Sequence, residues 1–191
     1  MDRGALDDVF RRARQHDPEA LNAVVDAYAP RLFGLLYRLT ASRDTAEDLL
    51  QETFLRVVRK IGEYEHRGRF EAWIFRIAAN LARDHARRAR SRGKFSTLDV
   101  DPGGDTAGSP EPADEEQAGP GQRLIEQEDA RRLDECLQRL TEPEREIILL
   151  RHFSELSFRE IADTLGVPLG TALARAHRAL ARLRLAFGDE V

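Results

Sequence analysis

Cysteine is nearly missing: Cys136 is the single thiol in 191 residues. One thiol makes no internal disulfide, and no zinc site built from several thiolates. Long apolar runs are missing as well, with nothing approaching the ~20 residues of a membrane-spanning helix. The acidic opening MDRGALDD has neither the basic start nor the apolar middle of a signal peptide. These absences predict a soluble protein of the cytoplasm, without direct membrane insertion. The alternating Val/Ile patterns of half-buried strands are scarce, and no internal repeat is visible. Ala, Leu, Arg and Glu dominate instead, which predicts an all-α fold. The length suits one medium domain or two small ones.

An excess of positive charge is also lacking, since the formal net charge is −4. The total is misleading, because the charge is segregated. Residues 101–122 hold six acids (Asp101, Asp105, Glu111, Asp114, Glu115, Glu116) and no Lys or Arg, so the other residues carry +2 together. That stretch is rich in Gly and Pro, has almost nothing to bury, and reads as a flexible acidic linker over 96–122. Two small helical domains, 1–95 and 123–191, are expected on either side of it.

Helical signals are dense in both. In the first domain a helix is expected over Leu6 to Gln15. A second is opened by Asp17-Pro18 and runs to about Leu39. Asp44 with Glu47 forms a capping-box pattern for a third, which ends near Ile61. After the loop GEYEHRGR a long helix starts at Phe70. In the second domain RLIEQEDARRLDECLQRL precedes the capping-box pairs Thr141/Glu144 and Ser157/Glu160, and Gly166 stops the helix that the latter opens.

Two segments carry the functional signal. FEAWIFRIAANLARDHARRARSRGK, from Phe70 to Lys94, begins with an apolar stripe of Phe70, Trp73, Ile74, Phe75, Ile77, Ala78 and Leu81. It ends in Arg83, Arg87, Arg88, Arg90, Arg92 and Lys94 against the single acid Asp84. An apolar anchor feeding a cationic tail suits a helix laid along a polyanion. Near the other end, SFREIADTLGVPLGTALARAHRAL has the pattern of a helix-turn-helix. Ile161, Ala162, Leu165, Val167, Ala172 and Ala176 are placed to pack the pair together. The second helix then offers Thr171, Leu173, Ala174, Arg175, His177 and Arg178 to a major groove. Catalysis has no comparable support: Asp84-His85, His152 and His177 are scattered, with no nucleophile elbow, phosphate loop or metal-spaced ligand set. No metal, cofactor or enzymatic activity is expected.

With those blocks in view, the chain resembles a bacterial RNA polymerase sigma factor of the extracytoplasmic-function type, in the sigma-70 family. The resemblance rests on AEDLLQETFLRVVRKI, FEAWIFRIAANLARDHARR and LTEPEREIILLRHFSELSFREIADTLGVPLGTALARAHRAL, in that order. It implies a region 2 domain that docks on core polymerase, reads the −10 element and opens the strands, and a region 4 domain that reads the −35 element. Asp48, Gln51 and Glu52 would be polar contacts to the clamp helices of the largest subunit, with Phe54 and Leu55 facing inward. The region 4 domain would meet the flap region. Tyr64, expected as an exposed ring, would stack an unpaired base, with His66 and Arg67 near the DNA backbone. Asn80 would meet a base edge, and Arg83, Arg87, Arg88 and Arg90 would meet phosphates, while Trp73 falls with the core set. Around Thr171 the chain departs from the family pattern, having Ala172, Leu173 and Ala174 where Val, a polar residue and Ser are usual. Leu173 would there suit a thymine methyl. The resemblance further implies an anti-sigma factor as partner, and a linker threaded through the RNA exit path; a merely solvated tether explains the linker equally well. A stand-alone helix-turn-helix regulator is the alternative, but it leaves AEDLLQETF and the basic helix without a role.

Overall fold

The computed structural model describes residues 3–64, 70–93, 128, 131–154 and 156–188. All regular structure among them is helical. The chain divides into two compact units, residues 1–100 and 101–191. The expected linker over 96–122 lies outside the described residues.

The first unit contains α1 (Arg3–Ala13), α2 (Pro18–Thr40), α3 (Arg43–Lys60), a 3₁₀ turn (Ile61–Glu63) and α4 (Phe70–Gly93). Asp17 caps α2 as its sequence predicts: its carboxylate accepts from the Glu19 N–H at 2.9 Å and the Ala20 N–H at 3.3 Å. Arg12 then reaches both Asp17 (2.8 Å) and Glu19 (2.9 Å), tying the end of α1 to the start of α2. The Arg12 hydrogen bond holds the Asp17 carboxyl below the usual aspartate range. α2 ends at Ala41, whose left-handed φ of 53° turns the chain into α3.

α3 does not start with the expected Asp44/Glu47 box. Ser42 holds the extended backbone that a cap requires, and its Oγ accepts from the Thr45 N–H at 3.3 Å. Asp44 therefore sits inside the first turn, and Glu47 pairs with Arg43 at 2.9 Å.

The core of this unit is made by Leu32, Leu35 and Leu36 of α2, Ala46, Leu49, Thr53 and Val57 of α3, and Ile74, Phe75, Ala78 and Ala79 of α4, all buried. Each large side chain removed from water contributes about 1.5–3 kcal/mol. Thr53 is tolerated there because its hydroxyl donates to the Leu49 carbonyl at 2.7 Å. The start of α4 is fixed by aromatics converging on Phe70. Phe10 lies at 4.2 Å between ring centroids, Tyr28 at 5.4 Å and Tyr64 at 5.5 Å. Burial pushes the Tyr28 phenol up to about 12.

The second unit contains α5 (residues 131–138), α6 (Glu142–Ser154), α7 (Phe158–Leu165) and α8 (Leu169–Gly188). Ser157 opens α7 with the predicted reciprocal capping box: its backbone N–H and Oγ both donate to Glu160 Oε2, at 2.9 and 2.7 Å. Gly166 closes α7 at φ 65°, a left-handed conformation that costs glycine nothing. The Val167 N–H then returns to the Ala162 carbonyl at 3.0 Å, which fixes the sharp turn into α8. Ala172, Ala176 and Ala179 lie on one face of α8, all buried. Their small side chains let that helix lie close against α6 and α7. Ile147, Leu149, Leu150, Leu156 and Ile161 complete this core.

Candidate nucleic-acid and polymerase interfaces

Successive residues of an α-helix turn by ~100°, so exposure and spacing together define a face. On α4 the buried side is set by Ile74, Phe75, Ala78, Leu81 and Ala82. Opposite it run Arg76, Asn80, Arg83, Arg87 and Arg90, spaced by three and four and gathered within an arc of ~80°. Arg76, Asn80, Arg87 and Arg90 are exposed, and Arg83 is half-buried. Arg88 is also exposed, turned away from this stripe. Two contacts order the surface: Arg83 donates to the Asn80 side-chain oxygen at 2.9 Å, and Arg87 meets Asp84 at 3.1 Å. Asn80 thereby keeps its amide NH₂ group directed to a further acceptor while its oxygen is engaged.

The aromatic end of α4 differs from expectation. Tyr64 is not a freely exposed ring. It is half-buried, with its face stacked on Trp73 at 4.8 Å and its edge toward Phe70. Trp73 in turn is only half-buried, because it lies near the outward stripe rather than the core stripe. The pair forms an aromatic platform at the head of the basic face. His66 and Arg67 lie outside the described residues.

On α3 the buried stripe Ala46, Leu49, Thr53 and Val57 leaves the opposite side to Asp44, Asp48, Gln51 and Leu55. Asp48 and Gln51 are exposed, and Glu52 is half-buried beside Arg56 at 2.8 Å. Leu55 does not face inward: it is 51% exposed, since two residues beyond the buried Thr53 a helix has turned to its far side. Phe54 is half-buried. The face is thus polar with one apolar side chain between Asp48, Gln51 and Glu52, and that arrangement suits protein docking better than solvation alone.

In the second unit the predicted packing residues Ile161, Ala162, Leu165, Ala172 and Ala176 are buried, and Val167 is half-buried. The outward side of α8 carries Leu173, Ala174, His177 and Arg178, all exposed. Thr171 and Arg175 are half-buried, on the same flank of α8 as Arg178 and Arg182. Arg178 is not a purely outward cation. Its Nε lies 3.5 Å from Glu144, whose side chain is 4% exposed, and Arg182 meets the same carboxylate at 2.6 Å. Burial works against the Glu144 charge, but the Thr141 hydrogen bonds, the nearby Arg182 charge and the Arg178 hydrogen bond outweigh it, and its carboxyl titrates below the usual glutamate range.

Sequence reasoning missed Arg76, Leu55 and the Glu144–Arg182 pair. Arg76 and Leu55 were recoverable by projecting the buried stripe onto a helical wheel. Nothing local signals the Glu144 pairing, because its partners lie two helices further along. Among the described residues no helix is long and apolar enough to cross a membrane.

The family model described as Sigma-70 region 2 matches residues 24–92, and that described as Sigma-70, region 4 matches residues 130–183. The RNA polymerase sigma factor CarQ of Myxococcus xanthus is 36% identical, over 94% of this chain and 96% of its own. The ECF RNA polymerase sigma factor BldN of Streptomyces coelicolor is 33% identical, over 95% of this chain and 67% of its own. The sigma factor RpoE from Bartonella quintana, solved in complex with the anti-sigma factor NepR, shares the fold at a TM-score of 0.69 and 23% identity, over 89% of this chain and 98% of that one. The outward faces of α3, α4 and α8 thus fall inside the two matched regions, and the chain belongs to the extracytoplasmic-function sigma factors of the sigma-70 family, initiation factors that direct RNA polymerase to promoters.

Proposed function

We propose that this chain performs promoter-specific initiation through three separate helix faces. α3 docks on the clamp helices of the largest polymerase subunit through Asp48, Gln51, Glu52 and the exposed Leu55. α4 takes the −10 element: Asn80 meets a base edge, the Tyr64–Trp73 platform stacks an unpaired base, and Arg83, Arg87, Arg88 and Arg90 hold phosphates. His66 and Arg67 flank that platform in sequence and contribute backbone contacts. α8 takes the −35 element through Thr171, Leu173, Ala174, Arg175 and His177, with Arg178 at the edge of that face and shared with Glu144, while the rest of its unit meets the flap region. The domains extend over 1–95 and 123–191, and 96–122 tethers them. An anti-sigma factor is the regulatory partner, and the site of action is the cytoplasm.

The observation that carries this reading is the single stripe of α4. There one polar base-reading side chain, Asn80, is embedded between Arg76, Arg83 and Arg87, directly below a half-exposed aromatic pair. Cations alone give sequence-independent affinity, whereas opening a duplex also requires groups that hold unstacked bases, each base–aromatic stack being worth about 1–3 kcal/mol. The stripe supplies both. Run-off transcription with core polymerase over a promoter library tests it: Asn80→Ala lowers yield through the −10 element, Arg175→Ala through the −35 element, and Gln51→Ala through holoenzyme assembly. Unchanged yield from all three at limiting protein would refute the assignments. A pull-down with core polymerase separates this reading from a stand-alone DNA-binding regulator, which would not be retained.

A further inference from the structure

Glu144 lies in the first turn of α6 and is almost completely buried, 3% exposed. Its Oε2 accepts from the Thr141 N–H at 3.2 Å and the Thr141 hydroxyl at 2.7 Å, which accounts for the helix cap. A glutamine serves a capping box as well as a glutamate does. The negative charge has a different use, since Arg182 of α8 donates to Oε2 at 2.6 Å and Arg178 approaches Oε1 at 3.5 Å. Thr171, Arg175, Arg178 and Arg182 share one flank of α8, within an arc of ~60°. Two cations on the flank of the helix offered to DNA are therefore committed to an acid of their own protein.

We propose that Glu144 is a specificity-determining residue of the promoter-binding helix: it holds the Arg178 and Arg182 guanidiniums against α6, so that they compete poorly for DNA phosphates. The inference rests on α8 being the −35-binding helix. The Arg178 and Arg182 side chains are themselves 58% and 51% exposed, so a phosphate reaches either of them only by competing with the Glu144 carboxylate for the same guanidinium. Phosphate contacts carry affinity without sequence information, while base contacts carry the discrimination. Restraining two cations lowers the first and leaves the second to Thr171, Leu173, Arg175 and His177.

The test uses holoenzyme reconstituted from the full chain and bacterial core polymerase. Its probes are a promoter duplex selected by the wild-type holoenzyme from a random library, and a scrambled duplex of equal length. Glu144→Gln keeps the cap and removes the charge. Its plot of log affinity against log salt is expected to steepen by about 0.9 for one released arginine, or about 1.8 for two, with the scrambled duplex gaining several-fold more than the selected one. Glu135→Gln removes an equal charge from an exposed site of the same unit and is expected to leave the slope unchanged. An unaltered slope in Glu144→Gln, or an equal steepening in Glu135→Gln, overturns the proposal. If Glu144→Gln does not fold, Arg182→Gln decides: an unchanged slope supports the restraint, and a slope flatter by about 0.9 contradicts it. A wild-type holoenzyme that cannot tell the two duplexes apart instead refutes the −35 reading, and the inference falls with it.

Discussion

α4 and α8 are both arginine-rich helices, yet they treat that charge in opposite ways. Along α4, Arg76, Arg87 and Arg90 project from a helix whose other side is sealed by Ile74, Phe75 and Ala78, Arg83 lies half-buried against Asn80, and the one acid on its basic half, Asp84, meets Arg87 near the surface. Along α8, Arg178 and Arg182 share a buried acid, and the outward positions between them and the turn are Leu173, Ala174 and His177. On the roles proposed for the two helices, the difference is one of duty. A helix that grips a strand during opening needs many backbone contacts, and it gains from a dense row of cations near its surface. A helix that chooses one duplex sequence gains from having fewer of them. Placing the acid in the interior of the second unit restrains its cations without adding negative charge to the binding face.

The comparison breaks most severely if one unit loses its core. Phe75→Ala removes a fully buried ring from α4 and should destabilise the first unit by about 3–5 kcal/mol. In hydrogen exchange, amide protection should collapse across α2, α3 and α4 while α6, α7 and α8 keep theirs; equal loss in both units would mean that they do not fold as separate cores. A smaller effect sharpens the role of α4. Asn80→Ala should cost about 1–3 kcal/mol of discrimination at one −10 position while leaving the salt slope in place, as measured by initiation over a library varied at that position. Arg87→Ala should do the reverse, flattening the slope by about 0.9 with little change in base preference.

On α3, Leu55→Asp places a charge in the middle of the proposed docking face. About 2 kcal/mol of affinity for core polymerase should be lost, against less for Gln51→Ala, in titrations with the purified partner. The smallest effect is acid-dependent. The Glu144 carboxyl titrates lower in the folded protein than in the unfolded chain. Its contribution to stability is therefore complete above the ordinary glutamate range and disappears as pH falls through the lowered folded value. Protection of the α6 and α8 amides should weaken over that acidic window in the wild type, and the Glu144-dependent part of the loss should be absent in Glu144→Gln.

Much of this architecture is legible in the residue order. Asp17-Pro18, Ser157 with Glu160, and Gly166 are local devices, and each forms the cap or stop that its spacing predicts. The α4 stripe is legible for the same reason, because apolar spacing alone orients its arginines. Errors arose where two local signals compete. Ser42 and Asp44 both suit an N-cap, and the left-handed Ala41 decides for Ser42 by setting the extended backbone there. Tyr64 looks like an exposed loop residue, but the ring of Trp73 nine positions later covers one of its faces. The Glu144 pairing was invisible, because side chains separated by 38 positions meet only once α8 has packed on α6.

Site-specific photocrosslinking in the assembled holoenzyme reports which DNA each helix meets. With a crosslinker at position 80, and separately at position 173, on a promoter selected by the wild-type protein, the account predicts adducts at two distinct places on the same DNA: the −10 element from α4 and the −35 element from α8. Adducts from both positions at one element, or none from either in a complex that still initiates transcription, would contradict it.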